Sequence, residues 1–166
     1  MLRKINKLQV ASSKPQALKQ IILSILSALL LIASFPKADL GILAWVGFVP
    51  LFLALNDCPK KKAFIYAYLA GFIYWLGIIY WIWYVAFFSV FVLAAYLAVY
   101  FGIFGLIFSS FSSHRARLVI IPVFWVVLEY CRAHLLTGFG WAMLGYSQYM
   151  NLSVIQISDI TGVYGV

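Results

Sequence analysis

The sequence predicts an all-α integral membrane protein with about five transmembrane helices, a cytoplasmic N-terminus and an external C-terminal segment in which a sixth helix begins. Three observations predict it. Of 166 residues 66% are hydrophobic and only 10% charged, against roughly 25% charged in a soluble globular domain. Too few polar side chains remain to coat such a core in water, whereas lipid requires no coat. The apolar residues also arrive in long uninterrupted runs. Finally, the basic residues gather between alternate runs, which is how a chain holds its cytoplasmic loops on one side of a bilayer.

Taken in order, residues 1–17 form a basic leader containing Arg3, Lys4, Lys7 and Lys14. The first run, Leu18–Phe35, has Lys19 and Gln20 at its head, and its "LLLIASFPKADL" end lacks a small-x-small cleavage pattern, so it reads as a retained helix and not a signal peptide. Leu40–Leu55 is shorter than the roughly 20 residues of a perpendicular span and contains Pro50. These two runs are therefore expected to form a tight helical hairpin turned at Pro36–Asp39. Ala63–Val85 is long enough to span and places Tyr66 and Tyr68 near one end and Trp81, Trp83 and Tyr84 at the other, an interfacial aromatic pattern. Phe87–Phe111 is the fourth run, with Gly102 and Gly105 admitting a close neighbour. Leu118–Leu136 is the fifth.

The net charge of +8 does not form a nucleic-acid-binding stripe, and no basic-aromatic binding module accompanies it. Ten basic residues fall in the leader and at Lys19, at Lys60–Lys62, and at Arg115 and Arg117, all on the inner side of the five-helix arrangement; Lys37 and Arg132 fall on the outer side. Cys58 lies in the basic loop and Cys131 in an apolar run, so a disulfide between them is not expected, and neither has metal-ligand company. The Tyr74, Gly77, Trp81 and Tyr84 series has helical spacing and reads as helix packing plus interface anchoring.

One segment departs from membrane filler. Glu129, the single glutamate, stands about seven residues, or roughly 10 Å of helix rise, before the outer end of the fifth run. A charged group at the centre of a span costs at least about 2.5 kcal/mol, less near the interface, so it must be paired, protonated or facing a wet cavity. Arg132 is three positions on and shares its helix face; Trp125 is one turn before. Two readings stay open: an internal ion pair that orients the helix, and a polar floor beneath an outward-facing site. His134 at the interface and His114 in a cytoplasmic loop are expected only to be hydrated. After the helix, "TGFGW" (Thr137–Trp141) sets glycines around an aromatic pair and reads as a loop lying on the membrane surface.

The segments "FPKADLGILAWVGFVPLFLAL" (Phe35–Leu55), "FWVVLEYCRAHLLTGFGWAMLGYSQ" (Phe124–Gln148) and "IQISDITGVYGV" (Ile155–Val166) resemble the membrane portion of bacterial apolipoprotein N-acyltransferases. Trp125, Glu129, Arg132, Thr137, Gly138, Phe139, Trp141, Gly145, Tyr146, Ser147, Gln148, Gln156, Asp159, Gly162, Tyr164 and Gly165 match the family pattern. Gly140 stands where the family usually has proline, so a looser loop is expected here.

The resemblance implies a bacterial inner-membrane, multi-pass protein. It implies transfer of a fatty acyl chain from membrane phospholipid, the donor, to the N-terminal amino group of a diacylglyceryl-cysteine lipoprotein, the acceptor, without a cofactor. It also implies a periplasmic nitrilase-like domain, beyond a further helix, that supplies a Glu, a Lys and a Cys as base, oxyanion stabiliser and nucleophile. That triad is not found in these residues. Glu129 and Cys131 are two apart, about 200° around a helix, and Lys37 is the only external lysine, in another loop. No catalytic residue is therefore assigned, and the chain alone is expected to be inactive.

The candidate substrate or rim residues are Glu129, Arg132, Trp141, Tyr146 and Gln148. The expected layout is a leader at 1–17, a five-helix region at 18–136, and at 137–166 an interfacial loop with the start of the sixth helix. This part would dock the catalytic domain and admit lipid substrates. The alternative is a free-standing small membrane protein, an assembly or transporter subunit without enzymatic activity.

The charge distribution makes a topological prediction. Reporter fusions at Lys61 and Arg115 should read cytoplasmic, and fusions at Lys37 and Gln148 external; an external signal at Lys61 would overturn the five-helix arrangement.

Overall fold

The computed structural model describes residues 2–111, 117–136 and 138–166, with side chains from Pro15 onward. Thr137, His114 and Arg115, and the side chains of the basic leader, lie outside that description. Every element among the described residues is helical or a turn; none is a strand.

Helix α1 (Leu2–Ala33) contains Pro15. From there its two faces divide. Ser24 and Ser27 are fully buried and Ala28 and Leu31 nearly so, while Leu18, Ile22, Leu26 and Leu29 are exposed. Small and hydroxyl-bearing residues turn inward and leucines outward, as happens where the surrounding medium is as apolar as the leucines themselves. Each serine hydroxyl has an acceptor, the carbonyl of Gln20 for Ser24 and that of Gly47 for Ser27.

The run Leu40–Leu55 is not one helix. It divides into α2 (Leu43–Gly47) and α3 (Val49–Leu55), separated at Phe48. Pro50, in the first turn of α3, has no N–H to continue the ladder of α2. Ser27 Oγ donates to the Gly47 carbonyl at 2.6 Å, supplying a partner from α1 at the break. Gly47 also permits close approach, since a Cβ there would lie 2.7 Å from Leu31 Cδ2. The expected hairpin exists, with α1 packed on α2 and α3, but its second arm is jointed.

Helix α4 (Lys60–Ile78) begins at the lysines and ends before the outer aromatics, which form a separate 3-10 turn, Tyr80–Tyr84. The expected Ala63–Val85 helix is thus a shorter helix followed by a tight turn. Helix α5 (Phe87–Ser110) returns antiparallel against α4. The contact is intimate because glycines line it. A Cβ at Gly105 would meet the Ala63 carbonyl at 2.5 Å and Ala67 Cβ at 2.6 Å, and one at Gly102 would meet Phe64 at 2.5 Å. Helix α6 (Arg117–His134) contains Pro122 and packs against α5.

Among the described residues two helices are long and apolar enough to cross a membrane, Pro15–Ala33 and Phe87–Ser110. Helices α4 and α6 are more polar because Lys60, Lys61 and Lys62 head the first, and Arg117, Glu129 and Arg132 lie on the second. Where the start of a sixth helix is expected, the structure has two single-turn helices, α7 (Leu152–Ile155) and α8 (Ser158–Thr161), and a final 3-10 turn, Gly162–Gly165. Positive φ at Gly162 separates α8 from that turn. Cys58 and Cys131 are both free thiols.

The jointed arm makes Ser27 a sensitive position. Ser27→Ala removes the inter-helix bond at the break and should lower unfolding free energy by about 1 kcal/mol, read as an earlier thermal transition in detergent. An unchanged transition would mean that the joint does not depend on this hydroxyl.

Candidate functional site

The outer end of α6 meets the segment 138–149, and the contact is built from backbone carbonyls as much as from side chains. Arg132 is 3% exposed. One guanidinium nitrogen, Nη1, donates to the Phe139 and Trp141 carbonyls, at 2.7 Å each. The guanidinium lies over the Trp75 ring, 4.8 Å from its centroid, a cation–π contact that desolvation strengthens. Nη2 is 3.8 Å from Glu129 Oε1. A planar group with fixed donors suits this task better than an ammonium.

Glu129 is 7% exposed. Its Oε1 accepts the Leu144 N–H at 2.9 Å. The two charged residues therefore grip the same loop at successive points: Arg132 at residues 139 and 141, Glu129 at residue 144. Tyr74, from α4, adds a third grip by donating its hydroxyl to the Ala142 carbonyl at 3.2 Å. Backbone turns complete the segment, with the Phe139 N–H donating to the Arg132 carbonyl at 2.8 Å.

Gln148 is the fourth grip and joins this segment to the α1–α2 connection. It sits in a 3-10 turn, Leu144–Gln148. Its Nε2 donates to the Gly41 carbonyl at 2.7 Å, and its Oε1 accepts the Trp45 indole N–H at 3.0 Å. Beside it, Tyr149 donates its hydroxyl to Asp39 Oδ2 at 2.6 Å, and that bond to a carboxylate pushes the phenol pKa up. Asp39 has a positive φ of 59°, a conformation that aspartate tolerates better than most residues.

Of the five residues singled out from the sequence, Glu129, Arg132 and Gln148 are buried and converge on the loop. The other two are on its surface. Trp141 is half-exposed and lies against Trp81, with ring centroids 5.1 Å apart. Tyr146 is also exposed. His134 bonds to the carbonyl of Tyr130 in its own helix and stacks on that ring. Trp45, Tyr74 and Gly41 belong to the site, yet nothing in the sequence singled them out as members. Tyr74 had been read as packing, and it does pack, on Phe35 and Phe101, while also holding the loop.

The segment around Gly140, where a looser loop is expected, is held by hydrogen bonds on both sides. Arg132 bonds the carbonyls on both sides of that glycine, so the backbone is fixed without a proline. Among the described residues no three of His, Cys, Asp and Glu come together as a metal site. Glu129 and Arg132 are both engaged by the loop, so the arrangement serves to position groups.

The two loop glycines should respond differently to substitution. Gly138 has φ +66° and a Cβ there would lie 2.5 Å from the Ala133 carbonyl, whereas at Gly140 the nearest atoms are Met143 Cε at 3.6 Å and Ala133 Cβ at 3.9 Å. Gly138→Ala should therefore destabilise by more than about 1 kcal/mol, and Gly140→Ala should be neutral or stabilising by up to about 1 kcal/mol, as measured by thermal unfolding of the two variants side by side. Equal losses would show that the loop is not held in this conformation.

Comparison with known proteins agrees with the sequence pattern. Residues 27–166 match the family described as "Apolipoprotein N-acyltransferase N-terminal domain". The apolipoprotein N-acyltransferase of Geobacter metallireducens is 40% identical over 157 residues, covering 87% of this chain and 30% of that protein. The Haemophilus influenzae enzyme of the same name is 31% identical, covering 87% and 29%, and that of Chlorobaculum tepidum 30% identical, covering 89% and 29%. The chain thus spans just under a third of the length of these relatives, and it belongs to the apolipoprotein N-acyltransferase family, of which it carries the N-terminal domain.

Proposed function

We propose that this chain is the membrane-embedded N-terminal part of an apolipoprotein N-acyltransferase of the bacterial inner membrane. In that reading α1, the jointed α2–α3 arm, α4, α5 and α6 are five spans with the N-terminus in the cytoplasm, and residues 137–166 lie at the periplasmic surface. The complete enzyme moves a fatty acyl chain from phospholipid to the N-terminal amino group of a diacylglyceryl-cysteine lipoprotein. Its Glu, Lys and Cys would belong to a nitrilase-like domain, and none of the three is assigned to these 166 residues.

The observation that carries the reading is the fixed loop at residues 138–148. A domain that docks on a membrane surface needs a rim that does not move, and here one buried ion pair, a tyrosine and a glutamine hold that rim at residues 139, 141, 142, 144 and 148. A second feature supports the passage of lipids. A groove of about 630 Å³ runs along α6 against α3 and α5, from Arg117 to the final turn. Phe52, Phe108, Leu118, Ile121 and Trp125 line it, with Gln148 and Glu129 among its polar groups. An apolar trough with a few polar groups suits an acyl chain whose headgroup remains at the outer surface.

The test is Glu129→Gln in a complete enzyme built on this membrane part. Glutamine retains an oxygen to accept the Leu144 N–H but leaves the Arg132 charge without its partner, and breaking one half of a buried pair is the harmful change. The variant should reach the membrane in normal amounts and lose activity at least about tenfold, and Glu129→Gln with Arg132→Gln should be no worse than the worse single change, because residues in contact are not additive. Full activity in Glu129→Gln would leave the pair as packing only and remove the argument for a positioned rim.

A further inference from the structure

The groove along α6 is apolar over a limited length, because its polar side chains stand at its two ends. Gln148, Ser147 and Glu129 mark the end beside the loop, and Arg117 marks the other. Between them the walls are aromatic and aliphatic. Nearest the loop, Phe48 and Trp125 meet edge to face with ring centroids 4.5 Å apart. One turn farther along α3 and α5, Phe52 and Phe108 stack at 5.1 Å and 11°. There Ile121 and Leu118, one and two turns before Trp125, supply the α6 wall.

The length of that wall separates the candidate occupants. From Glu129 to Leu118 the helix rises about 16 Å. A membrane's hydrocarbon core is about 30 Å thick, so an acyl chain from one leaflet takes up about 15 Å of it, whereas a spanning helix takes up all of it with about 20 residues. The wall fits one acyl chain and is half of what a spanning helix would cover. Phe52 stands where the apolar stretch nears its end. It is half-buried and touches the rings of Phe48, Phe104 and Phe108, so its bulk decides how far the aromatic floor extends toward Arg117.

We propose that this groove selects acyl chains by length, with the carbonyl end of the chain beside Gln148 and its terminal methyl at Phe52 and Phe108, and that Phe52 sets the length. The inference rests on the reading of the groove as a lipid trough. Surrounding lipid is as apolar as the groove, so longer chains gain nothing from burial as such, and packing discriminates. A chain too short leaves the Phe52–Phe108 end without contacting atoms. One too long presses its methyl on the Arg117 guanidinium, a group that an apolar partner desolvates without compensation.

The test is photo-crosslinking of the whole chain in phospholipid nanodiscs that carry a trace of diacyl phospholipid with a diazirine at the terminal carbon of one acyl chain, in a series of graded lengths. Labelling is read by mass spectrometry at Phe108 and Ile121, which are 6% and 5% exposed and so are reached from within the groove. It should peak at one length and fall by about tenfold when the chain is changed by two carbons, the low end of what a single methylene is worth in an apolar pocket. Phe52→Ala should move the peak to longer chains and Phe52→Trp to shorter ones, opposite shifts that a merely structural role for Phe52 would not give; should Phe52→Ala fail to fold, Phe52→Leu tests the same direction. Equal labelling at every length, or shifts of both variants in one direction, would overturn length selection while leaving a groove filled by lipid. Labelling confined to exposed residues such as Leu29 and Val92, with none at Phe108 or Ile121, would overturn the lipid trough as well.

Discussion

A guanidinium buried in an apolar interior must have its donors matched, and in this protein that requirement organises the outer half of the molecule. Arg132 meets it with two carbonyls of the following loop, the Glu129 carboxylate and the face of Trp75. Each partner is then constrained in turn. The loop must fold back over α6 to bring residues 139 and 141 within reach, Glu129 must stand one turn before the arginine, and α4 must place its indole beneath. In water such a pair would contribute little. With both groups buried, its value is in specifying one arrangement, since every alternative leaves a charge or a carbonyl without a partner.

The inner half follows the opposite logic. There Leu18, Ile22, Leu26 and Leu29 of α1 lie exposed while small and hydroxyl-bearing residues are buried, so apolar character alone does not decide which residues turn inward. Close backbone approach takes over. Gly71, Gly102 and Gly105 bring α4 and α5 together, Gly47 and Gly77 admit Leu31 and Ile32 of α1, and the buried Ser27 satisfies the Gly47 carbonyl at the break between α2 and α3. Trp125 links the halves. It wedges between Phe48 at that break and Phe101 and Phe104 of α5, one turn from Glu129, so the jointed arm and the ion pair share a wall. The groove along α6 opens on the other side of that same tryptophan.

The break at Phe48 and the four-point grip on the loop act together. A jointed arm places Gly41 and Trp45 at the outer surface, where Gln148 binds both. The connection after α1 and the connection after α6, more than a hundred residues apart in the chain, thereby form one surface. Tyr149 and Asp39 extend it by one further bond.

What the sequence determined by itself is what depends on local pattern. Composition and run length predicted an all-helical chain with long apolar helices, Pro50 marked the weak point of the second run, and Gly102 and Gly105 marked a close helix pair. Glu129 and Arg132, three apart, were bound to share a helix face. Family resemblance added Trp141, Tyr146 and Gln148 as candidates. Tertiary structure alone decided which of these are inside and what they hold. It turned Gln148 inward and Tyr146 outward, recruited Tyr74, Trp45 and Gly41, ended α4 at Ile78, and gave the carbonyls on either side of Gly140 a shared donor in Arg132. The reason is the identity of the acceptors. Phe139, Trp141, Ala142 and Gly41 all take part through their backbone carbonyls, a group that every residue carries alike, so the bonds that fix this surface leave no mark on the residues that accept them.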